Sequence, residues 1–182
     1  MKLEEKQLNA EYIYKGKIIN VRRDTAELPN GACAFREVVE HPGGVTVAAL
    51  TDNDELLFVR QFRYPYGEVI LEIPAGKRDS RDEAPIECGR RELREETGAT
   101  AENFFFLGEL YPTPGYCGEV IYMFGATGLS FGDTDPDEDE FLEVMRIPFE
   151  KAVEMVLSGE IKDAKTQTAV LKLKLLRDKG EI

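Results

Sequence analysis

Histidine is nearly missing from this 182-residue chain: His41 is the only one. That excludes a serine–histidine–aspartate triad away from position 41 and any metal site built from several imidazoles. Cysteine is scarce too. Cys33, Cys88 and Cys117 are odd in number, widely spaced and form no C-x-x-C pair, so neither a disulfide framework nor a zinc site is indicated. No apolar run approaches the roughly 20 residues of a membrane helix. The opening residues, MKLEEKQLNAEYIYKGK, lack the apolar centre of a secretory signal. The expectation is a protein of the reducing cytoplasm with no membrane partner. Positive charge is also in deficit, with 23 Lys and Arg against 35 Asp and Glu and a formal net charge of −12. This argues against a broad basic face for nucleic acid, and an anionic ligand would need local arginines or metal ions. If the chain is an enzyme, carboxylates must do its acid–base work.

What remains is ample for a core. Hydrophobic residues make up 42% of the chain, enough for one domain, or one domain with a small appendage. Residues 1–44 carry three short β-like runs, Glu11–Lys15, Lys17–Arg23 and Cys33–Glu40. A turn at Pro29-Asn30-Gly31 and a break at Pro42-Gly43-Gly44 punctuate them. So small a sheet needs a partner surface, and residues 1–44 are expected to pack on the main domain, on a second subunit of a homodimer, or on both. The main domain is expected over 45–182. Val45–Leu50 and Glu55–Phe62, joined by Asp52-Asn53-Asp54, read as a hairpin. Further strands are expected at Val69–Ile73, Asn103–Leu110, Glu119–Ala126 and Glu143–Ile147, with helices over Glu150–Leu157 and Ala164–Arg177. The order suits a mixed sheet sandwiched between helices.

The stretch Leu71–Ala99, LEIPAGKRDSRDEAPIECGRRELREETGA, organises the rest. It reads as strand, loop and helix, with Asp82 as N-cap, Pro85 in the first turn and Gly98 as the left-handed residue that closes the helix. Glu92, Glu95 and Glu96 fall at i, i+3 and i+4, so their carboxylates crowd one face, while Ile86, Leu93 and Thr97 lie on another. Like charges at this spacing repel by roughly 0.2–0.5 kcal/mol per pair. Either the face is solvated and neutralised by Arg90, Arg91 and Arg94, or a hard divalent cation offsets the repulsion.

The pattern resembles the signature of the Nudix hydrolases, G-x5-E-x7-R-E-U-x-E-E-x-G-U with U aliphatic. Gly76, Glu83, Arg91, Glu92, Leu93, Glu95, Glu96, Gly98 and Ala99 match it in order. One departure stands out: six residues, not five, separate Gly76 from Glu83. The extra residue falls in the Lys77–Asp82 loop, where an insertion is cheapest, so a longer bulge and an intact helix are expected. The resemblance extends over about 36–168 and is closest to the ADP-ribose pyrophosphatase branch. Leu71-Glu72-Ile73-Pro74-Ala75-Gly76-Lys77 is similar to that branch's lead-in, and Pro114 stands sixteen residues after Gly98, where the branch carries a proline. Glu138-Asp139-Glu140-Phe141 resembles its late acidic loop.

This resemblance implies an α/β/α sandwich with a mixed sheet, preceded by a small antiparallel β region. It implies Mg²⁺, with Mn²⁺ as a substitute, held by Glu92, Glu96, the Ala75 carbonyl and Glu140, with Glu95 helping. The general base is Glu138 or Glu140. Arg36, Arg63, Glu72, Pro114 and Glu119 are the implied substrate contacts, and Gly76, Glu83, Arg91 and Gly98 the structural members of the motif. Tyr12, Tyr14 and Phe35 are candidates to stack on a base, set against plain packing. The implied reaction is hydrolysis of ADP-ribose to AMP and ribose 5-phosphate. The alternatives are another nucleoside diphosphate sugar, of the GDP-mannose or UDP-glucose type, and a catalytically inactive nucleotide-sensing module.

Overall fold

The computed structural model describes residues 2–80, 82–136 and 140–182. The chain divides into two compact units, Met1–Gly43 with Tyr111–Val120, and Gly44–Leu110 with Ile121–Ile182. Tyr111–Val120 thus belongs with the N-terminal strands.

In the first unit β1 (Lys6–Lys15), β2 (Asn20–Glu27) and β3 (Cys33–Glu40) form an antiparallel meander in that order. Gly31, at φ +83°, supplies the left-handed residue of the β2–β3 turn. The 111–120 segment joins along β3: the Val39 N–H donates to the Tyr116 carbonyl at 2.8 Å, and the Gly118 N–H to the Val39 carbonyl at 2.9 Å. All ten residues of β1 are exposed.

In the second unit β4 (Gly44–Ala49) is buried at every position, as expected of a continuous apolar run covered on both faces. It pairs antiparallel with β7 (Ala75–Lys77) and parallel with β9 (Ile121–Phe131), which pairs with β8 (Ala99–Leu110), giving the mixed order β7-β4-β9-β8. Side chains alternate across β4. Val45, Val47 and Ala49 meet Cys88 and Leu93 of α1 (Pro85–Thr97). Ala48 meets α2 (Phe149–Ser158) and α3 (Ala164–Asp178) in the core of Phe149, Val153, Val170 and Leu173. The sheet thus lies between α1 on one face and α2 and α3 on the other.

The expected hairpin does not form. β5 (Glu55–Arg63) leaves β4 after one isolated bridge, Leu50 to Leu56, and enters a second, antiparallel sheet of order β10-β5-β6. Its partners there are β6 (Glu68–Glu72) and β10 (Leu142–Pro148). Asp54, at φ +60°, makes the tight turn between β4 and β5, a conformation that aspartate tolerates better than most residues. The strand placed at Glu119–Ala126 begins at Ile121, which leaves Glu119 in the first unit. Among the described residues no helix is long and apolar enough to cross a membrane.

Candidate active site

The helix α1 forms where the sequence places it, with Pro85 at its first position, but its N-cap is Ala84 and no side chain caps it. Asp82 lies too far upstream to reach the first turn; its own N–H is tied to Ser80 Oγ at 3.2 Å. At the far end Gly98 takes φ +69°, and its N–H donates to the Arg94 carbonyl at 2.8 Å. A Cβ on Gly98 would also meet the Gly132 carbonyl oxygen at 2.3 Å. The end of β9 therefore runs hard against the end of α1, and Asp135 N–H continues the contact to the Glu95 carbonyl at 2.9 Å.

The extra residue before Glu83 leaves the helix intact and settles the partners of that carboxylate. Glu83 Oε2 accepts the Asp79 N–H at 2.8 Å, and Oε1 lies 3.4 Å from Arg91 Nε. Burial would raise this carboxyl, but the Asp79 N–H and Arg91 hold it below the usual range.

Glu92 and Glu96 point inward, only 7% and 3% exposed. Glu96 Oε2 accepts the Ala75 N–H at 3.0 Å. The Glu92 carboxyl lies over Gly76, where a Cβ would come within 2.0 Å of it, so the motif's glycine is required by close approach rather than by φ. Burial pushes Glu92 up to about 7, against the pull of Arg91 and with Glu140 and Glu95 adding repulsion. Burial likewise pushes Glu96 up to about 8, against the Ala75 N–H and with Glu92 and Glu140 pressing in the same direction. Two buried carboxyls and a third acidic group thus act on one another across Ala75 and Gly76.

Glu95 is drawn toward the arginines of its own helix. Its oxygens go to Arg91 Nη1 at 3.0 Å and Arg94 Nη2 at 3.2 Å. Arg91 also lies 2.8 Å from Glu92. Among the described residues no three Asp, Glu, His or Cys side chains stand ready-grouped around a cation position. The donor chemistry nevertheless fits a hard divalent ion: all-oxygen, buried, mutually repelling, and only partly compensated by Arg91.

Glu72, an implied substrate contact, is held between two cations. It is 2% exposed, and both its oxygens are taken: Oε1 by Arg63 Nε at 2.6 Å, Oε2 by Arg63 Nη2 at 2.8 Å and by Lys165 Nζ. Lys165 and Thr166 go unnoticed in the sequence, yet Thr166 Oγ1 accepts the Ile73 N–H at 3.0 Å. The available signal is Asp163 ahead of an apolar-periodic helix, an N-cap that receives the Thr166 N–H at 2.9 Å.

Arg36 and Glu119 belong to the first unit. Arg36 is clamped by Glu5 at 2.8 and 2.6 Å. Glu119 lies 3.3 Å from His41 Nδ1, which accepts the Gly43 N–H at 3.1 Å. Pro114 follows Thr113, whose carbonyl accepts the Cys117 N–H at 3.1 Å in the same unit. Glu138 lies outside the described residues. Cys88 is fully buried, and burial pushes its thiol up to about 12, which leaves it inert.

Comparison with known proteins agrees with this architecture. The chain is 43% identical over 175 residues to an ADP-ribose pyrophosphatase of Bacillus subtilis (strain 168), covering 95% of this chain and 94% of the relative. It is 38% identical over 174 residues to a methanol dehydrogenase activator of Bacillus methanolicus, covering 94% of each. A crystal structure of an ADP compounds hydrolase shares the fold across the whole of both chains, with a TM-score of 0.85 at 23% identity. Residues 5–44 match the family model described as the nucleoside diphosphate sugar hydrolase N-terminal domain. Residues 32–169 match that of the NUDIX domain, and the chain belongs to the NUDIX family.

Proposed function

We propose that this chain is a Mg²⁺-dependent pyrophosphatase that hydrolyses ADP-ribose to AMP and ribose 5-phosphate, with Mn²⁺ as a substitute metal. The observation that carries this is the pair of buried carboxyls, Glu92 and Glu96, packed against Ala75 and Gly76 and short of counter-charge. Glu92, Glu96 and Glu140 would hold the cation, with the Ala75 carbonyl completing the set and Glu95 assisting from the helix surface. Once bound, the metal screens the diphosphate and makes a water molecule more acidic.

The chain's own residues do the rest. Arg63 meets phosphate oxygen with its free guanidinium edge. Glu138, with Glu140 as the alternative, takes the proton from the attacking water. Arg36, Pro114 and Glu119 are proposed as the remaining substrate contacts. Gly76 leaves room for the Glu92 carboxyl, and Glu83 holds Arg91 beside the helix. The N-terminal sheet, with Leu8, Tyr12, Ile13 and Tyr14 exposed along β1, supports a homodimer. Free cysteines at 33, 88 and 117 suit a reducing cytoplasm.

The test offers ADP-ribose with and without Mg²⁺, and the AMP and ribose 5-phosphate formed are read as phosphate released by alkaline phosphatase added after the protein is filtered off. Turnover that requires Mg²⁺ is the expected result. Turnover of GDP-mannose or UDP-glucose without ADP-ribose moves the assignment to another nucleoside diphosphate sugar, the class that the N-terminal family match names. No turnover on any of them leaves a nucleotide-sensing module.

A further inference from the structure

Lys165 breaks a local rule. It stands in the first turn of α3, directly after the cap Asp163 and Ala164, where the helix dipole disfavours a cation. Its side chain is 11% exposed, so its charge is nearly out of water. Both penalties are met by specific partners, Glu72 on one side and Asp163 Oδ1 at 2.9 Å on the other. With Arg63 these form a closed set of two cations and two carboxylates. Within it Arg63 spends Nε and Nη2 on Glu72, while Nη1 has no partner among the described residues and the side chain remains 37% exposed. One edge of the guanidinium is fixed and the other is open.

We propose that Lys165 is a positioning residue for the substrate diphosphate: by sharing Glu72 with Arg63, it fixes the guanidinium so that its open edge meets a phosphate oxygen. The proposal deepens the pyrophosphatase reading, on which it rests for the identity of the substrate. Without the lysine, one oxygen of Glu72 loses a cation and the set gains a net negative charge beside the place an anion must enter. Glu72 then competes with the substrate for Arg63. The neighbouring tether from Thr166 to Ile73 is backbone-directed and stays in place, so the damage falls on anion binding rather than on the strand that leads to Ala75.

The experiment is steady-state kinetics on ADP-ribose for wild type, Lys165→Met, Lys165→Arg, Arg63→Lys and the Lys165→Met/Arg63→Lys double variant. Lys151→Met, which removes an exposed pair with Glu154 on α2, is the control. Lys165→Met should raise KM about tenfold with kcat within about twofold, the signature of lost uniform binding. Lys165→Arg should bring KM back to within about twofold of wild type, and Lys151→Met should leave it unchanged. On the Arg63→Lys background Lys165→Met should add less than about twofold, because residues acting through one path are not additive. An unchanged KM in Lys165→Met, or full additivity, overturns the proposal. Partial unfolding of the variant lowers apparent kcat but does not move KM. If wild type fails to hydrolyse ADP-ribose, the functional reading alone falls. The positioning role is then read from the calorimetric Kd for inorganic pyrophosphate with Mg²⁺. The same weakening and rescue support it, and equal affinities or no binding by wild type overturn it.

Discussion

Glu72 and Glu96 are the same residue type, 2% and 3% exposed, and their surroundings drive them in opposite directions. Burial alone would raise Glu72, but Arg63 and Lys165 hold it below the ordinary carboxylate range. Burial raises Glu96 to about 8, because the Ala75 N–H is its main relief and Glu92 and Glu140 press against it. The cost of removing a carboxylate from water is comparable in both places; the donors waiting there decide the outcome. A carboxylate with two cations is finished and serves as framework. One set among other carboxylates holds an unmet demand for positive charge, which a divalent ion can answer.

The largest expected effect is on the unfinished side of this contrast. Glu96→Gln should lower turnover of ADP-ribose by about 10³-fold, near 4 kcal/mol of transition-state stabilisation, with the fold intact by circular dichroism. The pH dependence has a definite sign. The folded-state value of about 8 lies above the reference of 4.5. Glu96 thus adds stability that is full below that reference and is lost as pH rises toward 8. In chelator the wild-type Tm should fall between about pH 5 and 8, Glu96→Gln should lessen that slope and leave the part owed to Glu92, and Mg²⁺ should restore the high-pH limb. A wild-type Tm that does not change over this window would break the contrast.

On the finished side, Glu72→Gln strands Arg63 and Lys165 and should cost about 3–5 kcal/mol in urea unfolding at pH 7. Here the sign reverses. The depressed carboxyl contributes stability above its reference value, and that contribution is lost as pH falls through and below 4.5, so wild type and variant should converge in acid. A cost well under 1 kcal/mol would mean the network is solvated after all. A smaller effect is expected from Gly76→Ala. The new Cβ displaces the Glu92 carboxyl, a flexible chain end, so stability should shift by less than about 1 kcal/mol while turnover falls about 10- to 100-fold. Smallest of all is His41→Ala: its Nδ1 serves a turn and Glu119. The kcat/KM profile against pH should keep its shape within about twofold, since carboxylates and not an imidazole govern it.

Much of this is legible in the residues, for identifiable reasons. Helix α1 carries its own punctuation in Pro85 and Gly98, and spacing alone places Glu92 and Glu96 one turn apart. What spacing does not give is side-chain direction. Glu95 occupies the same face but is drawn aside by Arg91 and Arg94, and Asp82 loses the cap to Ala84 because the loop meets the helix two residues later. Strand partners are less legible still. Val45–Leu50 and Glu55–Phe62 look like a hairpin because a tight turn joins them, yet an apolar run carries no record of which neighbour it pairs with. Lys165 is hidden for another reason: its meaning comes from Glu72, 93 residues earlier. Only its awkward place in a helix's first turn hints that a distant partner exists.

The parallel pairing of β4 with β9 has a consequence for how the molecule is made. On a ribosome, β4 and α1 emerge long before β9 is synthesised, so the central strand waits with one side unzipped. Closing it requires contacts between distant parts of the chain, which slows folding and leaves Val45 and Val47 open to wrong partners meanwhile. A nascent chain stalled short of Phe131 is therefore a sticky intermediate rather than a smaller working enzyme.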